Sequence, residues 1–214
     1  EVQAWDTETY RSFVDAGCDG LVVYQETYDR TTYAAVHLKG KKRNYDWRLA
    51  ALDRGAQAGM RRLGIGALFG LHDDWRSEAL AMAVHAQALI KRWWRCEVAV
   101  ALPRLRPCAG PGFAAPEVLD DRSMAQLICA LRLGFPDISI VLSTRERAEL
   151  RDALLPLGVT TLSAGSHTEP GGYVTASDAE PQFDIADTRS PDEFVAMLRE
   201  AGYDPVWKDW QRTS

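Results

Sequence analysis

Side chains able to do chemistry gather directly behind apolar runs in this chain. From Ile138 to Glu146 it reads Ile-Ser-Ile-Val-Leu-Ser-Thr-Arg-Glu. The run thus delivers two hydroxyls, a guanidinium and a carboxylate in succession. Ser143 beside Arg145 is a donor set for an anion, and a guanidinium fork matches a carboxylate in two-pronged geometry. Ser143 followed three residues later by Glu146 is also a helix capping box, which takes no ligand. The readings are compatible, with Ser143 and Arg145 as a clamp and Glu146 capping the helix behind them. Arg104 and Arg106 flank Leu105 behind another run, and strand alternation points both to the same side. Such a pair either clamps a carboxylate or forms structural salt bridges with Glu and Asp.

Other segments carry weaker signals. Gln25-Glu26-Thr27-Tyr28 sets donors and acceptors at a strand end, for a ligand or for the cap of a following helix. Gly66 to Asp73 is a strand interrupted by glycines at 66 and 70, around Leu68. Glycine inside a strand marks close approach of a ligand or of another backbone, as in a tight barrel wall. His72 reads as a hydrogen-bonding loop residue, and His85, mid-helix, as structural or exposed. Gly165 to Tyr173, with Ser166 at its start, is a loop rich in small residues. It suits phosphate binding through backbone N–H groups, a lid, or a plain turn.

The elements that must hold these residues alternate. Helical patterns run over Asp6–Ala16, with Thr7 as cap, and over Tyr45–Gly59, with Trp47, Leu49, Leu52 and Ala56 on one face. Others cover Ser77–Trp94, Asp121–Leu133, Arg147–Leu157 and Ser190–Ala201. Between them stand apolar runs at Gly20–Tyr24, Leu63–Leu71, Glu97–Leu102, Ile138–Leu142 and Val159–Leu162. Near-continuous apolar strands alternating with helices predict an α/β fold with a parallel sheet. Polar residues collect after each strand, at the rim where such sheets do chemistry. About five strand–helix units are present, whereas a closed barrel needs eight. The expectation is a partial (β/α) TIM-type barrel of parallel strands, residues 1–214 forming one domain.

Composition narrows the function class. The chain has 214 residues, 46% apolar and 26% charged, with a net charge of −5. Nucleic acid is not expected as a partner. The one basic cluster, Lys39, Lys41, Lys42 and Arg43, reads as a solvated loop. No apolar run approaches the roughly 20 residues needed to span a bilayer, so no membrane role is expected. Cysteines stand at 18, 96, 108 and 129 without CxxC or CxxxCxxC spacing. At this length and cysteine density neither a disulfide framework nor a sequence-local metal site is expected. Cys96 and Cys129 sit in apolar stretches and are expected to be buried and inert. A reducing cytoplasm is the expected location.

Taken in order, the segments resemble the radical S-adenosylmethionine tyrosine lyase family, nearest its thiamine-pathway branch, the 2-iminoacetate synthases. The resemblance rests on Val-Tyr-Gln-Glu-Thr-Tyr at 23–28, His-Leu-Lys-Gly-Lys at 37–41, Gly64–Leu71 and Pro103–Pro107. It continues through Ser143–Glu146, Ser163–Ser166, Pro170–Tyr173 and Pro205–Trp210. The part from about 95 to 214 is similar to the domain shared by biotin and thiamine synthesis enzymes.

The resemblance implies the last five strand–helix units of a radical SAM barrel. It implies S-adenosylmethionine and a [4Fe-4S] cluster as cofactors, L-tyrosine as substrate, and thiazole synthase as the protein that takes the product. Cα–Cβ cleavage would give 2-iminoacetate and 4-cresol. Gln25, Glu26, Thr27, Tyr28, Gly66, Leu68 and Gly70 correspond to regions that cradle S-adenosylmethionine. Ser143 and Arg145 match positions expected to hold the substrate carboxylate, with Arg104 and Ser166 as further substrate-binding candidates. The family's CxxxCxxC cluster motif is missing from the chain, so the cluster ligands are expected upstream and the chain alone is expected to be inactive. The hydrogenase-maturation branch, which carries further cysteines in a tail, is the alternative, as is a non-catalytic barrel fragment binding a small anion or a partner.

Overall fold

The computed structural model describes residues 1–106, 119–168 and 185–207. Five parallel strands, β1 (Gly20–Val22), β2 (Arg62–Gly66), β3 (Glu97–Ala101), β4 (Ser139–Leu142) and β5 (Thr161–Leu162), pair in chain order. Each strand pairs with the next through a helical crossover, as parallel neighbours require. The sheet is a half-barrel, as the alternating pattern predicts.

Two faces of the sheet have different sequence. Leu21, Val23, Leu63, Ile65, Val98, Val100, Ile140 and Leu142 are all buried in one core with α4 (Ala51–Ala58), α5 (Trp75–Arg92) and α6 (Asp121–Gly134). The intervening positions are Val22, Tyr24, Gly64, Gly66, Ala99, Ala101, Ser139 and Val141. These are mostly small, and they form the concave face. At position 66 close packing requires glycine: a Cβ there would lie 2.8 Å from the Tyr24 ring and 3.1 Å from the Ala101 carbonyl oxygen. At the far end of this face, Arg62 donates to Thr161 Oγ1 at 3.0 Å and Ser139 Oγ at 3.3 Å. It also pairs with Glu97 at 3.3 Å.

Several expectations are corrected. Helix α1 (Thr7–Asp15) is capped by Asp6, whose carboxylate accepts from Thr9 N at 2.8 Å, and Thr7 is already helical. A helix absent from the pattern reading, α2 (Arg30–Val36), follows β1 with Asp29 as its cap. The Tyr45–Gly59 helix is broken at Ala50 into α3 (Tyr45–Leu49) and α4, which ends on left-handed Gly59. The break rotates the inward face, so Ala51, Leu52, Gly55 and Ala58 are buried while Trp47 is exposed. Cys129 is exposed, on the outer side of α6. Cys96 is half-buried, its thiol 3.3 Å from the Met60 carbonyl.

The remaining elements follow the pattern closely. Helix α7 (Ala148–Leu154) runs into a 3-10 turn at Leu155–Leu157, and α8 (Pro191–Glu200) carries a true capping box between Ser190 and Glu193. Among the described residues no helix is long and apolar enough to cross a membrane.

Candidate functional site

The rim is an extension of the sheet. Beyond the regular strands, single parallel bridges join Glu26 to Ala67 and Phe69 to Arg104. Leu68 N donates to the Glu26 carbonyl at 2.7 Å, and Leu105 N to the Phe69 carbonyl at 2.7 Å. These bonds bring the segments behind β1, β2 and β3 side by side. Ser143 and Arg145 reach the same level behind β4.

Together they wall a cavity of about 620 Å³ on the concave face. This is within the size range of small-molecule sites. Tyr24, Glu26, Leu68, Ala101, Ser143 and Arg145 line it, with Lys42 and Arg48 on the β1 side. Glu26 Oε1 accepts from Arg48 at 3.0 Å and Lys42 at 3.3 Å, and Arg48 Nε donates to the Tyr24 carbonyl at 2.7 Å. Glu26 has φ +74°, the one non-glycine positive φ among the described residues. Such a conformation persists at functional sites when surrounding bonds enforce it.

Two groups in the cavity feel their burial. The Tyr24 phenol is pushed up to about 12 by desolvation, so it stays protonated and can donate a hydrogen bond. Burial lowers the pKa of the Arg145 guanidinium, against the smaller opposing pulls of Tyr24, Glu1 and Glu26. Arg145 remains charged at any physiological pH. A half-desolvated guanidinium gains from an anionic ligand what it lost in hydration.

The expected residues divide. Glu26, Leu68, Ser143 and Arg145 share the cavity wall. Gly66 lies beneath the Tyr24 ring, and Gly70 takes φ +114° in the turn that follows. Thr27 and Tyr28 turn away from the cavity toward α5: Thr27 Oγ1 meets Glu78 at 2.8 Å and the Tyr28 hydroxyl meets His85 Nδ1 at 2.9 Å. His85 is structural, as expected. Gln25 is buried off the cavity, its amide without a protein partner. His72 bonds Thr32 in the loop, 3.2 Å away.

Arg104 is occupied. It binds Glu146 through two nitrogens, Asp121 at 2.9 Å and the Leu119 carbonyl at 3.1 Å. Arg106 also reaches Glu146, at 2.8 Å. The same-side alternation is present, and the structural ion-pair alternative is the one that forms. The capping box at Ser143 and Glu146 does not form: α7 starts at Ala148 with Arg147 as its cap and no side-chain cap bond. Glu146, 1% exposed, serves the two arginines instead. Ser166 is half-buried and does not line this cavity. Glu169–Tyr173 of its loop, like Cys108 and Pro107, lies outside the described residues.

Sequence reasoning missed Lys42 and Arg48. Lys42 was expected in a solvated loop. It is exposed, in a 3-10 turn at Lys41–Arg43, yet its ammonium reaches Glu26. No spacing signals this, because the contacts cross from α3 and the turn before it to the β1 rim. Among the described residues no group of three or more His, Cys, Asp or Glu is placed to hold a metal ion. An iron–sulfur cluster therefore does not fit on them, whereas the cavity, with its small floor and charged walls, suits an organic ligand bearing a carboxylate.

Residues 101–204 match the model of the Biotin and Thiamin Synthesis associated domain. The chain is 44% identical over 210 residues to 2-iminoacetate synthase of Escherichia coli (strain K12) and 43% identical to that of Salmonella typhimurium. Each match covers 98% of this chain and 55% of the relative, so the chain spans about half the length of these curated relatives. Among solved structures, HydG, a maturase of the [FeFe]-hydrogenase, superimposes with a TM-score of 0.86 at 35% identity, over 96% of this chain and 45% of that one. HydG from Carboxydothermus hydrogenoformans gives 0.82 at 35% identity, covering 94% and 46%. Methylornithine synthase shares the fold, at TM-score 0.70 and 21% identity over 95% of this chain and 57% of that one. Motif order, sequence identity and half-barrel fold agree: over nearly its whole length the chain is similar to about half of a 2-iminoacetate synthase.

Proposed function

We propose that this chain is the substrate-holding part of a radical S-adenosylmethionine lyase that cleaves L-tyrosine at Cα–Cβ. The products are 2-iminoacetate and 4-cresol, and thiazole synthase in the cytoplasm takes the former. The observation that carries this reading is the cavity itself. It joins Ser143 and Arg145 on one wall to Tyr24, Glu26 and Leu68 on the other.

Each residue has a task that its geometry supports. Arg145, with Ser143 beside it, binds the tyrosine carboxylate and fixes which hydrogen faces the opposite wall. Orientation of this kind is worth several orders of magnitude in rate. Glu26, steadied by Lys42 and Arg48, and Leu68 receive S-adenosylmethionine. Gly66 lets the Tyr24 ring lie close against the sheet, and Ala101 keeps the floor small enough for two ligands to lie together. S-adenosylmethionine held on that wall would supply the radical chemistry that acts on the bound tyrosine. The cluster ligands belong to sequence upstream of this chain, and the chain by itself is inactive in this reading.

Hydrogenase maturation is the second reading, favoured by the TM-score of 0.86 to HydG. The higher identity to 2-iminoacetate synthases, 44% against 35%, weighs toward the thiamine branch. The deciding experiment incubates the complete protein that carries this chain with S-adenosylmethionine, a reductant and L-tyrosine. Release of 4-cresol, with thiazole formed when thiazole synthase, a sulfur donor and its carbon co-substrate are added, is the expected result. No 4-cresol overturns the activity; 4-cresol without thiazole overturns the branch.

A further inference from the structure

Glu26 needs something to hold it at φ +74°, and that support lies outside the cavity. Glu78 on α5 is 3% exposed. Among the described residues no cation lies within ion-pairing distance of it. Its carboxylate is satisfied instead by three consecutive residues that follow Glu26. Thr27 Oγ1 donates at 2.8 Å, Tyr28 N lies 3.0 Å from both oxygens, and Asp29 N donates at 3.0 Å. Two helical turns along α5, His85 Nδ1 meets the Tyr28 hydroxyl at 2.9 Å, while Tyr45 donates to the Tyr28 carbonyl at 2.9 Å.

A buried carboxylate without a cation is costly unless hydrogen bonds satisfy it. Here the donors exist only if residues 27–29 keep this turn. The turn begins one residue after Glu26, whose carbonyl is bound by Leu68 N at 2.7 Å. The backbone of Glu26 is therefore pinned on both sides, by the segment behind β2 and by Glu78.

We infer that Glu78 is a positioning residue for the ligand cavity: it fixes the 27–29 turn, which keeps Glu26 left-handed and its carboxylate against Lys42 and Arg48. Glu78 touches no ligand. The inference rests on the reading of the Glu26 wall as the S-adenosylmethionine side.

The test uses the complete protein and the variants Glu78→Gln, Glu26→Gly and the two combined. Glu78→Gln is expected to raise KM for S-adenosylmethionine about tenfold or more, since several hydrogen bonds to a charged group weaken together. KM for tyrosine stays within about twofold. The double variant is expected to be no worse than Glu26→Gly alone, because both changes act on one group. Equal rises in both KM values, or additive effects in the double variant, overturn the inference and leave Glu78 a general stabiliser. Amide hydrogen exchange on the 214-residue chain gives a readout without activity. In Glu78→Gln the Tyr28 and Asp29 amides should exchange at least about tenfold faster, with β2 amides unchanged. Unchanged exchange at those two amides refutes the clamp. If the parent protein shows no dependence on S-adenosylmethionine, the functional reading fails, and the exchange experiment still decides the role of Glu78.

Discussion

Arg104 and Glu146 bind each other through two hydrogen bonds across the ends of β3 and β4, 42 residues apart in sequence. Both are almost fully buried, and Arg106 adds a third bond to the same carboxylate. The pair locks the two rim segments together one residue from Arg145. Thr144, on the other side of Arg145, is also buried, and its carbonyl accepts from Ala186 N at 2.9 Å and Asp187 N at 3.1 Å. Arg145 is thus held between two buried, hydrogen-bonded neighbours.

Removing the charge of Glu146 should therefore be severe. Glu146→Gln leaves two arginines facing a neutral amide, and breaking a buried pair costs about 3–5 kcal/mol. Because Arg106 is partly exposed, the lower end is expected. Urea denaturation of the chain measures it, and a loss below about 1 kcal/mol would show that the pair contributes little.

Arg145→Ala in the complete protein should weaken tyrosine binding by about a hundredfold, the scale of a lost charge-assisted, two-pronged contact. Affinity for S-adenosylmethionine should be kept. Separate titrations with the two ligands check this, and equal tyrosine affinity in variant and parent refutes the assigned role.

Gly66→Ala puts a methyl 2.8 Å from the Tyr24 ring and 3.1 Å from a backbone oxygen. The ring must swing into the cavity. Overpacking of this kind costs about 1–3 kcal/mol, and the narrowed cavity should bind both ligands less well. Thermal unfolding together with ligand titration reads both effects; unchanged affinity would mean that the ring is free to retreat elsewhere.

Burial lowers the pKa of His85 from its ordinary 6.5 to about 4. The unfolded chain then binds more protons than the folded one between those values. Stability is full above about pH 6.5 and falls as pH drops toward 4, by no more than about 3 kcal/mol. His85→Gln should flatten this part of the stability profile. An unaltered slope in the variant would assign it to carboxylates instead.

Iron and sulfide reconstitution of the chain, followed by reduction and electron paramagnetic resonance, should give no [4Fe-4S] signal. Its cysteines lack the cluster spacing, and Cys18, Cys96 and Cys129 are dispersed over separate elements. A reducible cluster signal from this chain would sink the assignment of the ligands to upstream sequence.

Much of the fold was legible because strand burial has a simple period. Leu21, Val23, Leu63, Ile65, Val98 and Val100 mark the helix-covered face at every second position, and polar residues mark where each strand stops. The break at Ala50 was not legible: Tyr45–Gly59 carries no proline or internal signal stronger than its own helical pattern. Thr7 lost the cap to Asp6 because a carboxylate at the preceding position serves the same amide.

Sequence alone determined the half-barrel, the rim position of Ser143 and Arg145, and the resemblance to the 2-iminoacetate synthases, since these depend on periodicity and on motifs contiguous in the chain. Only the tertiary structure decided which polar side chains face the cavity. Glu146 read as a cap and became the anchor of Arg104. Arg104 read either as a clamp or as an ion-pair residue, and became Glu146's partner. Lys42 and Arg48 came to Glu26 from elements that follow it by 16 and 22 residues. A charged side chain takes whichever partner the packed helices bring within reach, and that distance through space is not written in the spacing along the chain.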